Sequence, residues 1–355
     1  NNFMDNTKRL FRELKADGML TASSDLREYL TGFPSSFGFV YTDAQESVFF
    51  TDPRYAEGAK AALKGEFISV EIAKSEETVL DYIKSKKIRR LAVPLARLTM
   101  PQYEKLRAKR FKLTDSMPAF EQAMAVKSEE ELSLIRRACE IAEEAYGLFL
   151  QELREGMTEN ECAGLLEYLM RRCGAQDRSF ETIIAFGKNS SVPHHAPCGD
   201  RLMPEMPVLM DFGCRYGGYC SDMTRTVWFG SHPDEHFVAM YDAVYGAHMK
   251  AAENIREGMT GKDADALARD HLREKGIDKF FTHSLGHGIG INIHEKPVVG
   301  PSGKQKLCDG MVFSIEPGAY FEGQFGIRIE DSAYMENGRA VSFMKTDKKL
   351  TVLNR

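Results

Sequence analysis

Apolar residues in the first third of the chain recur alternately at helical and at strand-like spacing. Leucine and phenylalanine at helical spacing predict a helix over Lys8–Leu14, which ends before the turn-prone Asp17-Gly18. The further elements predicted in this region are strands at Phe37–Thr42, Ser47–Thr51, Phe67–Ile72 and Arg90–Val93, and helices after Asp52-Pro53, near Glu77–Lys84 and near Gln102–Lys109. This alternation predicts a small α/β domain with a mixed sheet.

The pattern changes near Met117-Pro118, where we predict a domain boundary. The predicted domains are residues 1–118 and 119–355. The second domain opens with a long amphipathic helix, because Ser128 can cap its first turn and Glu131 can complete a capping box.

The second domain contains an internal repeat. The pentapeptide Arg-Glu-Gly-Met-Thr occurs at 154–158 and again at 256–260, and Gly174 matches Gly276 at the same spacing. In each copy a long helix precedes the pentapeptide, and a second amphipathic helix and a β-rich segment follow it. Because glycines match at the helix ends as well, we predict two related halves about a pseudo-two-fold axis. The predicted fold class is therefore α/β (α+β), with a small first domain and a repeated second one.

Composition excludes several classes of protein. The chain has 355 residues, of which 43% are hydrophobic and 28% charged, as in ordinary globular proteins of about two domains. A net charge of −5 gives no reason to expect a nucleic acid or an acidic membrane surface as partner. No apolar run approaches the roughly 20 residues that span a bilayer. The polar first residues lack the apolar core of a signal peptide, so we expect a cytoplasmic protein.

Cysteine and histidine are unevenly placed. The seven cysteines are odd in number and form no CxxC pair, which predicts reduced thiols and neither a disulfide framework nor a structural zinc site. All nine histidines lie between His194 and His294, so imidazole chemistry is confined to the second domain.

Two aspartates lie on a predicted β-hairpin in the second domain. Asp211 follows the apolar run Val208–Met210, Gly217-Gly218 provides a turn, and Asp222 lies on the return strand. Two carboxylates that face each other on one sheet destabilise it unless a cation lies between them. The alternative is a pair of exposed turn aspartates, which the apolar context makes less attractive.

Two glutamates and a histidine further along the chain are also candidates to bind a cation. Glu316 ends the apolar strand Met311–Ile315, and Glu330 ends the alternating strand Gly326–Ile329. His287 has glycine on both sides, which lets another group approach closely. A lone histidine in such a turn is more often structural than a ligand, so its role depends on whether it meets the carboxylates.

Four carboxylates and one imidazole form a coherent ligand set. Their oxygen-rich chemistry suits Mn²⁺ first, and also Co²⁺ or Zn²⁺. Shared carboxylates favour two divalent ions with a bridging water that can attack a carbonyl group. The predicted ligands are Asp211, Asp222, His287, Glu316 and Glu330.

These motifs resemble those of the pita-bread metallopeptidases, and within them the aminopeptidase P and prolidase group that has a creatinase-like N-terminal domain. The resemblance covers nearly the whole chain. It is carried by Tyr29–Phe33, Thr51–Tyr55, Arg154–Thr158, Val192–His195 and the five ligand motifs.

The resemblance implies a role for each matched residue. Asp211 would bind one metal ion, Asp222 and Glu330 would bridge both, and His287 and Glu316 would complete the coordination, with Glu316 also moving protons. The catalytic group would further include His194, His283, His294 and Arg328: the histidines would position substrate and stabilise the tetrahedral intermediate, and the arginine would orient a carboxylate.

Some histidines fall outside the family pattern. His195 replaces a residue that is glycine in many relatives, and we expect it at the surface. The remaining histidines lack a motif and are expected to be solvated; they are His232, His236, His248 and His271.

The implied activity is hydrolysis of the bond before proline. We expect an aminopeptidase P that acts on peptides, with a prolidase acting on Xaa-Pro dipeptides as the alternative. A dipeptide's free carboxylate needs a nearby cation, for which Lys304, Lys306 and Arg328 are candidates. A metal-free creatinase-type hydrolase and a non-catalytic binding module are further alternatives on this fold. The resemblance also implies a homodimer.

Overall fold

The computed structural model describes residues 6–354. Two compact units divide the chain, one ending at Met124 and the other beginning at Ala125. The domain boundary predicted after residue 118 stays a prediction. Both units mix helices and strands, which confirms the predicted fold class. Among the described residues, no helix is long and apolar enough to cross a membrane.

The first unit has a six-stranded sheet in the order β4-β3-β2-β1-β5-β6. Neighbouring strands are antiparallel within β1-β2-β3 and parallel in the other pairs, so the predicted mixed sheet is confirmed. The strands are β1 (Gly18–Thr21), β2 (Phe39–Asp43), β3 (Ser47–Thr51), β4 (Ser69–Ile72), β5 (Arg90–Val93) and β6 (Lys112–Asp115), and the helices are α1 (Asn6–Arg12), α2 (Ser24–Thr31), α3 (Pro53–Ala62), α4 (Glu76–Ser85), α5 (Met100–Ala108) and α6 (Met117–Ala125).

The second unit contains four α-helices, two 3-10 helices (Gly187–Ser191 and Asp278–Phe280) and the remaining sheets among its described residues. Its helices are α7 (Glu129–Glu152), α8 (Glu159–Arg172), α9 (Glu235–Asn254) and α10 (Gly261–Glu274). Its strands are β7 (Asp177–Arg178), β8 (Ile183–Phe186), β9 (Met206–Phe212), β10 (Cys214–Tyr216), β11 (Tyr219–Cys220), β12 (Met223–Phe229), β13 (Gly286–Gly288), β14 (Glu295–Val299), β15 (Val312–Ile315), β16 (Gly318–Phe321), β17 (Phe325–Arg328), β18 (Asp331–Glu336), β19 (Arg339–Ser342) and β20 (Val352–Leu353).

The predicted repeat is present in the backbone. Helices α8 and α10 have 14 residues each, and Thr158 and Thr260 close a capping box at their starts. Gly156 and Gly258 adopt φ values of 83° and 84°, in the left-handed region that favours glycine. The repeated pentapeptide is therefore the turn that joins the paired helices α7–α8 and α9–α10.

The carboxylates predicted as ligands lie where strands change partners. Strands β9 and β12 are antiparallel, with Asp211 opposite Thr224, and Asp222 comes just before β12. Strand β15 pairs with β18, whereas β16 pairs with β17 in a separate sheet. Glu316 lies between β15 and β16, and Glu330 lies between β17 and β18. An isolated bridge from Glu330 to Thr224 then brings the two hairpins together.

Candidate metal centre

One cavity of the second unit gathers all five predicted ligands. Its volume is about 460 Å³. Two of the predicted catalytic histidines, His194 and His294, also line it. The ligand residues in its wall are Asp211, Asp222, His287, Glu316 and Glu330. Residues up to 119 positions apart in the chain therefore share one site.

The orientation of His287 suits a metal ligand. Its Nδ1 lies 3.0 Å from the carbonyl oxygen of Gly288, which can only accept, so Nδ1 carries the proton. Nε2 then faces two carboxylates, 3.3 Å from Asp222 Oδ2 and 3.2 Å from Glu316 Oε1. A cation between these atoms would satisfy all three groups at once.

The glycine before His287 permits this approach. A Cβ atom on Gly286 would lie 1.9 Å from the carbonyl oxygen of Ser314. The Ser314 hydroxyl in turn accepts from the His287 backbone N–H at 3.1 Å and donates to Glu316 at 2.8 Å. Glycine is thus required for β13 to place His287 beside Glu316.

Three buried carboxylate oxygens in this cavity have no hydrogen-bond partner among the residues that the structure describes. They are Oδ1 of Asp211, Oδ1 of Asp222 and Oε1 of Glu330. A buried acceptor without a partner costs about 1–3 kcal/mol, and more when it is charged. Because the three oxygens come from separate segments and converge on a cavity, the donor set fits divalent cations.

The pKa shifts of these residues without metal indicate a site that positive charge would stabilise. Burial raises the pKa of Asp222 to about 7, with the Asp211 charge adding to the effect. Burial and the neighbouring carboxylates hold the pKa of Glu330 well above its usual value. Burial also opposes ionisation of Glu316, but the hydrogen bond from His287 lowers its pKa to about 2. The same carboxylates raise the pKa of His287 against the effect of its burial.

A chain of polar contacts supports Asp211 from outside the cavity. Arg328 donates from Nη2 to Asp211 Oδ2 at 2.7 Å and from Nη1 to the Tyr320 hydroxyl at 2.8 Å. That hydroxyl lies 2.6 Å from Nε2 of His283. His283 Nδ1 lies 2.8 Å from the Ser284 carbonyl oxygen, so Nδ1 carries the proton and Nε2 accepts from Tyr320.

The predicted catalytic residues therefore form two groups, one that lines the cavity and one that lies behind its wall. His194 and His294 line the cavity, and the ring of His294 lies 4.1 Å from that of His287, between centroids. His283 and Arg328 are linked through Tyr320 instead, and Arg328 is 2% exposed.

Two expectations about histidines are wrong. His195 lies in the cavity wall with a side chain only 16% exposed, and its Nε2 is 2.7 Å from Glu159. His248 is fully buried, and burial lowers its pKa to about 4. His248 belongs to the buried face of α9, which the helical spacing of Phe237, Tyr241 and Val244 could have indicated.

Three further residues of the site belong to no motif that the sequence analysis identified, and they are Thr224, Ser314 and Tyr320. Thr224 donates to Glu330 Oε2 at 2.6 Å and accepts from Arg328 Nε at 3.3 Å. Its place two residues after Asp222 was the available signal, since alternate residues of a strand share a face. Ser314 likewise lies two residues from a predicted ligand, since it comes two positions before Glu316.

Two family models match the chain. Residues 133–337 match metallopeptidase family M24, and residues 4–126 match the creatinase/prolidase N-terminal domain. These matches agree with the resemblance drawn from the motifs.

Relatives match over most of their length. The Xaa-Pro dipeptidase of Pyrococcus furiosus is 34% identical over 318 residues, which is 89% of this chain and 90% of the relative. The solved Xaa-Pro dipeptidase of Bacillus anthracis is 32% identical with a TM-score of 0.93, and the comparison covers 99% of this chain and 100% of that one. The solved X-Pro aminopeptidase of Thermotoga maritima is 32% identical with a TM-score of 0.90, covering 97% and 99%. These relatives are peptidases, which lends no support to a creatinase-type or non-catalytic role.

Proposed function

Because the chain belongs to metallopeptidase family M24, we propose that this peptidase hydrolyses Xaa-Pro dipeptides with the help of two divalent metal ions. The observation that carries the metal dependence is the convergence of three unpartnered, buried carboxylate oxygens on the cavity that His287 lines. Two of the three relatives described above are named Xaa-Pro dipeptidases, which favours the prolidase alternative over the aminopeptidase P that the motifs first suggested.

The proposed ligands are Asp211, Asp222, His287, Glu316 and Glu330, with Mn²⁺ as the first choice and Co²⁺ or Zn²⁺ as alternatives. When bound, two such ions supply a Lewis acid and a water that ionises near neutral pH. Arg328 holds one oxygen of Asp211 at 2.7 Å, which fixes the direction of the other. His287 is fixed by its bond to the Gly288 carbonyl oxygen.

Proton transfer is assigned to Glu316. Its Oε1 accepts from Ser314 and lies 3.2 Å from His287 Nε2, on the side where a metal ion would be held, which leaves Oε2 to hold a proton and return it to the proline nitrogen. That nitrogen must gain a proton before it can leave, because it departs as the secondary amine of proline. His194 and His294 line the same cavity and are proposed to donate to the oxygen that becomes negative in the tetrahedral intermediate.

The test compares chelated protein with protein reloaded with Mn²⁺, Co²⁺ or Zn²⁺, on Ala-Pro, Ala-Pro-Ala and Ala-Ala. We expect metal-dependent cleavage of Ala-Pro and none of Ala-Ala. Cleavage of Ala-Pro-Ala without Ala-Pro would favour aminopeptidase P, the second candidate, which the Thermotoga maritima structure supports. Activity that survives full chelation would contradict the metal dependence.

A homodimer is a further proposal, drawn from the resemblance. Sedimentation of the reloaded protein at micromolar concentration tests it. A species of about 80 kDa, twice the 40.0 kDa of one chain, is expected. A monomer alone would contradict the dimer.

A further inference from the structure

Among residues 6–354, no lysine or arginine lines the cavity. Lys304 and Lys306 are exposed residues outside that wall. Arg328 already donates hydrogen bonds to Asp211 and Tyr320. Within the described residues, only imidazoles can therefore supply positive charge to a substrate's carboxylate from the cavity wall. His287 faces the carboxylates, and His194 and His294 are assigned to the reacting oxygen.

The remaining imidazole, His195, is held by a buried carboxylate. Glu159 is completely buried at the first turn of α8, and its Oε2 lies 2.7 Å from His195 Nε2. Backbone N–H groups of Phe186 and Cys198 and the side chain of Asn189 also donate to Glu159, at 2.8–3.0 Å. Burial opposes the ionisation of Glu159, but the hydrogen bonds from Asn189 and His195 outweigh it and lower the pKa. Glu159 is therefore an anionic acceptor.

This contact fixes which nitrogen of His195 is available. Since Glu159 can only accept, Nε2 carries a proton, and Nδ1 has no hydrogen-bond partner among the described residues. When Nδ1 is protonated as well, the ring is a cation. Its Nε2–H group then donates to the Glu159 carboxylate, and its Nδ1–H group is available to a second acceptor. In that form an arriving carboxylate would accept a hydrogen bond from Nδ1, on the side of the ring away from Glu159.

Glu159, His195 and Cys198 could also hold a metal ion, since their donor atoms lie within 4.8 Å of one another. The distances argue for hydrogen bonds instead. Ligands of a tetrahedral ion with metal–ligand bonds of about 2.0–2.1 Å stand about 3.3 Å apart, as His287 stands from Asp222 and Glu316. The 2.7 Å between His195 and Glu159 is shorter and matches a charge-assisted hydrogen bond.

We propose that His195, held by Glu159, binds the free carboxylate of an Xaa-Pro dipeptide and so determines the preference for dipeptides over longer peptides. This inference rests on the proposed function. Glu159 is a positioning residue, and His195 is the group that touches substrate.

The test uses the reloaded full chain and two substrates, Ala-Pro and Ala-Pro-amide, which differ only in the carboxylate. His195→Gln should raise KM for Ala-Pro by about 10-fold to 100-fold, the value of a hydrogen bond to a charged group. It should leave kcat for Ala-Pro, and both KM and kcat for Ala-Pro-amide, nearly unchanged. Glu159→Gln should show the same selectivity. His232→Gln is the matched control, because His232 is 88% exposed and outside the cavity wall. Equal losses on both substrates, in variants with wild-type thermal unfolding, would overturn the proposal.

A binding measurement separates this proposal from the proposed function. Calorimetry of N-acetylproline and N-acetylprolinamide needs no turnover, and the wild type should prefer the acid. Loss of that preference in His195→Gln would support the proposal even if Ala-Pro were not cleaved, whereas equal affinity of the wild type for both would overturn it. A sulfur-to-cobalt absorption band that disappears in Cys198→Ser would place a metal at Glu159 and also overturn it.

Discussion

Arg328 donates a 2.7 Å hydrogen bond to one carboxylate oxygen of Asp211, and the other oxygen is buried without a partner in the described part of the chain. An arginine that served only to neutralise Asp211 could bind both oxygens through its planar fork. Here a second N–H group goes to Tyr320 instead. The pair therefore fixes the direction of Asp211 Oδ1 and keeps that atom available for a cation.

The link from Tyr320 to Arg328 and His283 gives the first prediction. Tyr320→Phe removes the hydroxyl between them and should lower kcat/KM on Ala-Pro by about 10-fold to 100-fold, the usual cost of losing a group that orients metal ligands. Steady-state kinetics of the Mn²⁺-loaded protein measure the change. Tyr334→Phe is the matched control, since Tyr334 contacts Arg136 away from the cavity. Similar losses in both variants would contradict the assigned role.

The burial of Glu330 gives the second prediction. Glu330→Gln should abolish metal-dependent activity, because a proposed bridging ligand is lost. The same change should make the metal-free protein more stable, since burial and neighbouring carboxylates disfavour the charge of Glu330. Thermal unfolding of the chelated protein measures this, with Glu336→Gln at an exposed position as control. A metal-free Glu330→Gln protein that melts below the wild type would contradict the interpretation.

Asp222 gives a prediction about pH. Its pKa rises from an ordinary 3.8 to about 7 in the folded, metal-free chain, so the native state binds the extra proton in this range. Stability must then fall as pH rises from about 4 to 7, by at most about 4 kcal/mol, and stay reduced above that range.

Asp222→Asn removes this proton and the pH dependence that goes with it. The difference in unfolding free energy between the chelated variant and the chelated wild type should therefore grow in favour of the variant as pH rises from 4.5 to 7.5. Chemical denaturation at several pH values measures it. A difference that does not change with pH would show that Asp222 titrates normally.

The sequence predicted the proposed ligands from local patterns, which survive folding. Asp211, Glu316 and Glu330 follow apolar runs, Asp222 lies across a hairpin from Asp211, and His287 has glycine on both sides. It predicted the capped helix after Ser128 and the repeated turns for the same reason. It missed β1, whose four residues are all buried and show no alternation. Central strands of this kind have no period that distinguishes them from other short apolar segments.

The parts of the site that the sequence could not predict depend on distant contacts. Glu159 lies 36 residues before His195, and no spacing rule connects a first-turn glutamate to a histidine in a later loop. Tyr320 shares the strand pattern of its neighbours and differs only in where its hydroxyl points. Such roles follow from tertiary packing, which a single sequence does not display.

The proposed function depends on five residues that hold a pair of divalent ions. Anomalous diffraction from Mn²⁺-loaded crystals, recorded on both sides of the manganese absorption edge, locates such ions. We expect two peaks about 3.5–4 Å apart, within coordination distance of Asp211, Asp222, His287, Glu316 and Glu330. Manganese that is absent from this cavity, or bound at Glu159 in its place, would contradict it.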